Sequence, residues 1–287
     1  MSVGLILEGG GTRGAYTSGV LETLLQNNVE FPTVYGISAG ACNALSYISR
    51  QSNRNHDVFY NYIRDERYMS VASLHKTGNL FGLDFIFGEL SHELLPFDYE
   101  TFFSSPVNLK TGATDLRTGR VVYYDKSELD EAMTPVKASS SLPFVSNVIT
   151  YRDRELLDGG CAEPIPIDRS ILDGNRLNVI VLTRDAGYRR STRPEFPRAV
   201  LRARYGDYPN FVEAMMRRGE VYNNELEVCR RQEKEGLAVI VRPSRPLMVG
   251  RYEKDPERLK AIYDMGMMDC TIKLNEIRAL LAKDANA

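Results

Sequence analysis

The sequence predicts an α/β fold with a mainly parallel sheet and crossover helices. Three observations support this. The first fifty residues alternate strand-like and helix-like patterns twice, as parallel strands joined by crossover helices do. Further apolar strand-like runs recur downstream, at 107–125, 155–167, 178–184 and 237–244. Two glycine turns, GGGTRG at 9–14 and GISAG at 36–40, each stand between a strand pattern and a helix pattern.

Each element has its own signal. VGLILE (3–8) is a continuous apolar run and reads as a buried strand. Residues 14–27 carry Tyr16, Val20, Leu21, Leu24 and Leu25 as an apolar stripe at helical spacing, closed by Asn27 and Asn28. PTVYG (32–36) is a second short strand, and AGACNALSYISR (39–50) a helix with Ala, Leu and Ile on one face. Residues 51–100 hold polar helical pieces around GNLFGLDFIFGEL, where Phe81, Leu83, Phe85, Ile86 and Phe87 are unusually apolar. That segment reads as core, with acyl-chain contact or a lid across 81–94 as the alternative. VNLKTGATDLRTGRVVYYD (107–125) is two strands around a turn at Thr118-Gly119, and SSSLPF (139–144) a loop or helix end. ELLDGGCAEPIPI (155–167) is a strand running into a glycine turn, and NVIVLTR (178–184) another buried strand.

The texture changes near residue 185 to a sequence rich in Arg, Pro and Tyr. The chain therefore divides into 1–185 and 186–287. The second part reads as a helical extension packed on the first, with long polar helices near 209–235 and 255–283 and one strand, LAVIVRPS (237–244), between them.

Composition narrows the function classes. The 287 residues are 43% apolar, enough for a sizeable core. A net charge of −2 gives no global basic field for nucleic acid. No run of eighteen apolar residues marks a transmembrane helix. MSVGLILEGG lacks a basic leader and reads as a first strand rather than a signal peptide, so cytoplasmic residence is the default expectation. Cys42, Cys161, Cys229 and Cys270 are scattered and read as free thiols; His56, His75 and His92 form no ligand pair, so no metal is expected.

GISAG is G-x-S-x-G, with Gly36, Ser38 and Gly40 at the strand-to-helix position that a nucleophile elbow demands. A serine nucleophile needs a base. No histidine follows His92, so the histidine-last order of α/β-hydrolases is disfavoured and the base must come from elsewhere. Asp158 ends an apolar strand and is released by Gly159 and Gly160. Alone this is also a common D-G turn; beside the elbow and the N-terminal glycines it reads as functional. Gly9, Gly11 and Gly14 spell the dinucleotide pattern G-x-G-x-x-G. That use requires an acid after the second strand, and Glu30 precedes it. Consecutive glycines at a helix start also aim several N–H groups into one hollow, which suits a tetrahedral oxyanion. Arg13 adds a positive charge nearby.

Together these motifs resemble the patatin-like phospholipases, whose G-G-G-x-[RK]-G loop, G-x-S-x-G serine and D-G-[GA] aspartate occur in this chain order. TGATDLRTG (111–119) and SSSLPF also look like the family's connecting segments, and the resemblance covers about residues 3–185. It implies a three-layer α/β/α sandwich and a Ser-Asp dyad without histidine. Ser38 would be the nucleophile and Asp158 its general base. Gly9, Gly10, Gly11, Thr12, Arg13 and Gly14 would form the oxyanion hole, with the N–H groups of Gly10, Gly11 and Thr12 nearest the oxyanion. Gly36, Gly40, Gly159 and Gly160 are the motif glycines. The implied chemistry is two-step acyl transfer from a lipid or other acyl ester, without cofactor. The region after 185 is similar to the C-terminal extension of a bacterial subgroup.

Arg184, Arg189, Arg190, Arg193, Arg198, Arg202 and Arg204 crowd one short stretch. They read as a solvated, salt-bridged face, because no sustained apolar face accompanies them; the alternative is a patch for anionic headgroups at a membrane surface or for a phosphorylated substrate. Other readings of the chain are a nucleotide- or phosphate-binding protein, a silent regulatory protein, and an acyltransferase. Ile37 stands where the acyltransferase G-H-S-x-G pattern has its histidine. Phospholipid, lysophospholipid, neutral glyceride and thioester substrates remain open, as does the oligomeric state.

Overall fold

Continuous apolar runs form strands that are covered on both faces. In the computed structural model, which describes residues 3–285, β1 (Val3–Leu7) is buried at every position. Its Leu5 and Leu7 enter one core and its Ile6 the other, as the two-residue period of a strand requires. Then come α1 (Gly14–Gln26), β2 (Thr33–Ile37) and α2 (Ala39–Ile48). Shorter helices follow: α3 (Arg54–Tyr62), α4 (Val71–Thr77), α5 (Leu83–Phe87) and, after a π-helical turn at Leu90–Leu94, α6 (Tyr99–Ser104). The hairpin β3 (Asn108–Asp115) and β4 (Arg120–Asp125) precedes α7 (Thr134–Ser139), β5 (Ile149–Tyr151) and β6 (Arg154–Asp158). The remaining elements are α8 (Ile167–Leu172), β7 (Leu177–Val181), α9 (Arg198–Tyr205), α10 (Pro209–Lys234), β8 (Ala238–Val241) and α11 (Pro256–Ala285).

All the strands join one sheet in the order β5-β6-β3-β2-β1-β7-β8, with β4 added to β3. The pairs β1–β2, β1–β7, β2–β3 and β7–β8 are parallel; β3–β4, β3–β6 and β5–β6 are antiparallel. One core lies between the sheet and α1, α2 and α11; the other packs α8 and α10 on the opposite face. The result is the expected helix–sheet–helix layering.

The register of β3 positions the site. Ile37 of β2 pairs with Gly112, and the next residue of β3, Ala113, pairs with Asp158 of β6. Because β4 occupies the other edge of β3 from Lys110 to Asp115, β6 takes over the ladder where β2 ends. Ser38 and Asp158, far apart in sequence, therefore leave the sheet at one point.

The region after 185 is continuous with this architecture. β8 extends the sheet beside β7, α10 covers its face, and α11 runs along α1. That last contact buries the polar side of α1 along with its apolar stripe: Thr17, Ser18, Glu22 and Thr23 are buried too. The helices cross at Gly19 and Gly266: a Cβ on Gly266 would lie 2.1 Å from the Tyr16 carbonyl oxygen, and one on Gly19 2.0 Å from that of Tyr263. The short elements α6, α7, α8, α9 and β5 carry too few residues for a periodic signal in the sequence.

Candidate active site

Ser38 stands between β2 and α2 at φ 53° and ψ −124°, a conformation that L-residues occupy only under constraint. Its surroundings impose it. The Ser38 N–H donates to Ser139 Oγ at 2.8 Å, and that hydroxyl donates to the Gly112 carbonyl at 2.6 Å. The Ser38 carbonyl accepts from the Cys42 N–H at 3.1 Å, opening α2. Small neighbours are required: a Cβ on Gly40 would lie 2.5 Å from the Leu7 carbonyl oxygen, and one on Gly36 2.6 Å from Ala41 Cα.

Asp158 is 2% exposed. Its N–H donates to the Ser141 carbonyl at 2.8 Å, and its carbonyl accepts from the Thr114 hydroxyl at 2.9 Å. Oδ1 accepts from the Gly160 N–H at 2.7 Å, whereas Oδ2 is buried with no hydrogen-bond partner among the described residues. Burial raises the carboxyl pKa above the ordinary value; the Ser38 hydroxyl, Arg218, the Gly160 N–H and Arg251 pull it back. The serine thus lies close enough to influence the carboxylate without making an aligned hydrogen bond in this resting geometry. Such bonds commonly tighten only when substrate is bound.

The glycine loop passes directly beside the serine; a Cβ on Gly9 would be 3.2 Å from Ser38 Cβ. Most of its amides are already used. Gly9 N–H donates to the Pro164 carbonyl, Arg13 N–H to Gly10, and Gly14 N–H to Gly11 and Thr12. The expectation for Thr12 needs correction. Its N–H donates to the Arg251 carbonyl at 3.1 Å, while its hydroxyl donates to the Gly250 carbonyl and accepts from the Glu253 N–H. A strap from the segment between β8 and α11 holds it. The N–H groups of Gly10 and Gly11 have no hydrogen-bond partner among the described residues.

Two cavities meet at Ser38. One, of about 100 Å³, runs past Cys42 and is walled by Phe81, Leu83, Ile86, Phe87 and Leu90. The 81–94 segment is therefore both core and cavity wall: Leu83, Phe87 and Leu90 are buried in the main core and also face this cavity. The other, of about 40 Å³, is lined by Asp158, Glu8 and five arginines: Arg13, Arg184, Arg190, Arg218 and Arg251. The sequence points to Arg13 only as a positive charge at the glycine loop, and to Arg184 and Arg190 as part of a solvated face. For Arg189 and Arg198, paired with Glu227 and Glu213, that reading fits; Arg184 and Arg190 instead face the cavity. Arg218 and Arg251 gave no sequence signal, because each is one arginine in a polar stretch. None of the three histidines lines either cavity. Among the described residues no group of three His, Cys, Asp or Glu side chains is placed to hold a metal ion.

The family model for patatin-like phospholipases matches residues 5–171, and a domain of unknown function, DUF6363, matches 208–282. The chain belongs to the patatin-like phospholipase family. Among curated proteins it is similar to the uncharacterized protein YjjU of Escherichia coli K12, with 24% identity over 195 residues, 63% of this chain and 52% of that protein. The chain thus spans about half the length of that relative. Among solved structures, VipD from Legionella pneumophila aligns over 97% of this chain and 67% of its own, at 12% identity and a TM-score of 0.47.

Proposed function

We propose that this chain is a serine acyl hydrolase acting on lipid esters, with Ser38 as nucleophile and Asp158 as base. The observation that supports it most is the unpartnered Oδ2 of a buried carboxylate beside a serine on a strained turn. Ser38 Oγ attacks the ester carbonyl and its proton passes to Asp158 Oδ2. The negative charge that develops on the carbonyl oxygen is met by the N–H groups of Gly10 and Gly11, and the positive end of α2 favours it. The proton then returns to the departing alcohol, leaving an acyl-serine. Water, deprotonated by Asp158, cleaves that intermediate and restores the hydroxyl. The apolar cavity takes the acyl chain, which arrives from a lipid. Among the described residues no helix is long and apolar enough to cross a membrane.

The test is labelling with a fluorophosphonate probe and hydrolysis of p-nitrophenyl butyrate. Wild type is expected to label at Ser38, and Ser38→Ala to lose both labelling and turnover. Asp158→Asn is expected to lower kcat by about 10³–10⁴-fold, the range set by losing a general base. The raised pKa of Asp158 places the acid limb of kcat/KM above the ordinary carboxylate value of about 4. Folded wild type that neither labels nor hydrolyses would end this reading, and a fully active Asp158→Asn variant would remove Asp158 from its role.

A further inference from the structure

Ser38, Asp158, Gly10 and Gly11 serve the acyl transfer above and line the cationic cavity, but its five arginines perform no step in that transfer; Ser38 lines the apolar cavity as well. An ester held at Ser38 would send its acyl chain into the apolar cavity and its alcohol portion into the cationic one. Four of the five arginines, all but Arg13, lie beyond the family-matched residues 5–171.

Their five charges face three carboxylates, Glu8 and Asp158 in the cavity wall and Glu195 beside it. Glu195 receives Arg190 at 2.9 Å, Arg218 at 3.0 Å and Arg251 at 3.3 Å. Arg218 Nε also donates to the Gly160 carbonyl, tying this network to the Asp158 turn. Arg13 and Arg184 have no carboxylate within ion-pair distance among the described residues. Arg184 stacks over Tyr188 at 4.4 Å. Arg13 is 8% exposed, and its Nε is buried with no acceptor among the described residues. Glu8 attracts Arg13 across the cavity without forming an ion pair, and five guanidiniums against three carboxylates leave a surplus of positive charge that an anion from outside would meet. Burial, and then Arg184 and Arg251, lower the Arg13 pKa to about 10, which reports the same crowding of positive charge. The cavity has room for about three water molecules, the scale of a tetrahedral oxyanion.

We propose that this cavity is a phosphate subsite for the leaving group, in which Arg13 and Arg184 bind a phosphate monoester carried on the alcohol portion of the substrate. Two unpaired guanidiniums match the nearly two negative charges of a monoester better than the single charge of a diester. A choline-bearing headgroup would add a further cation to a cavity already rich in them. Only the acyl C–O bond breaks; the phosphate is held and not transferred. As a substrate subsite the proposal rests on the acyl-transfer reading, but its binding test does not.

Calorimetry on the Ser38→Ala protein reads binding without turnover. Inorganic phosphate and glycerol 3-phosphate are expected to bind, and glycerol and glycerophosphocholine are not. Arg184→Gln, at a partly exposed position, is expected to weaken glycerol 3-phosphate about tenfold, the value of one charge-assisted contact. Arg190→Gln, made separately, is expected to weaken it less, since Arg190 is already paired with Glu195. On the active protein, kcat/KM for an acyl-glycerol 3-phosphate should exceed that for the matching monoacylglycerol, and Arg184→Gln should lower that ratio. Preference for an oleoyl over a butyryl ester would place the phosphate on a lipid headgroup; the reverse would place it on a soluble metabolite. If neither phosphate compound binds while hydrolysis of p-nitrophenyl butyrate still depends on Ser38, the subsite is wrong and the hydrolase reading stands. If phosphate binds but the active protein shows no preference for phosphorylated esters, the site does not hold the leaving group.

Discussion

At the scale of residues, Ser38 occupies a backbone conformation that costs about 1–3 kcal/mol. The Ser139 hydroxyl, bridging the Ser38 N–H and the Gly112 carbonyl, is one of the bonds that offset it. Ser139 is a positioning residue, since it acts through the backbone of Ser38. Ser139→Ala is expected to lower kcat about tenfold with little change in KM, and to cost about 1 kcal/mol in denaturant unfolding. A loss of stability with kcat unchanged would show that the bridge supports packing alone. Ser38 and Asp158 were legible in sequence because the turns around them demand small residues at fixed offsets. Ser139 was not: a serine in SSSLPF becomes special only when α7 brings it under the elbow. Nor did the sequence show that Thr12 spends its N–H on Arg251, a contact between segments at opposite ends of the chain.

At the scale of elements, the α1–α11 crossing decides how the last helix completes the fold. The α11 residues Leu259, Ile262, Cys270, Leu274, Ile277 and Leu280 are buried in the same core as α1. The approach is close because Gly19 and Gly266 face each other's helix backbone. Gly266→Val is expected to force the helices apart and cost about 2–3 kcal/mol, measured by urea unfolding. An unchanged midpoint would mean that the crossing tolerates side chains and that the glycines are incidental. The helix patterns of α1 and α11 were readable from sequence, but their contact was not. A stripe of apolar residues says which face is buried, and it cannot say that a second helix will cover the other.

At the scale of the whole molecule, buried acids on the α10 side of the sheet make stability depend on pH. Burial, helped by the neighbouring Asp168, raises Glu163 to about 7, and burial beside Glu163 raises Glu225 as well. A carboxyl whose folded pKa exceeds its unfolded value stabilises the fold while protonated. That contribution is complete below the unfolded value of 4.5 and disappears as pH rises through about 7. Glu163→Gln is therefore expected to exceed wild type in stability by about 3 kcal/mol near pH 8 and to match it near pH 4. A gain of equal size at both pH values would mean that the carboxyl does not titrate in this way. The sequence by itself determined the strand–helix alternation, the nucleophile elbow, the aspartate turn and the absence of any histidine after His92, since these are local patterns read from neighbouring residues. Tertiary structure decided the rest. It set the β3 register that brings Asp158 to Ser38, the strap that claims Thr12, and the five arginines gathered from segments far apart in the chain. Those features depend on which segments meet, and burial and electrostatics at a meeting point are properties of both partners.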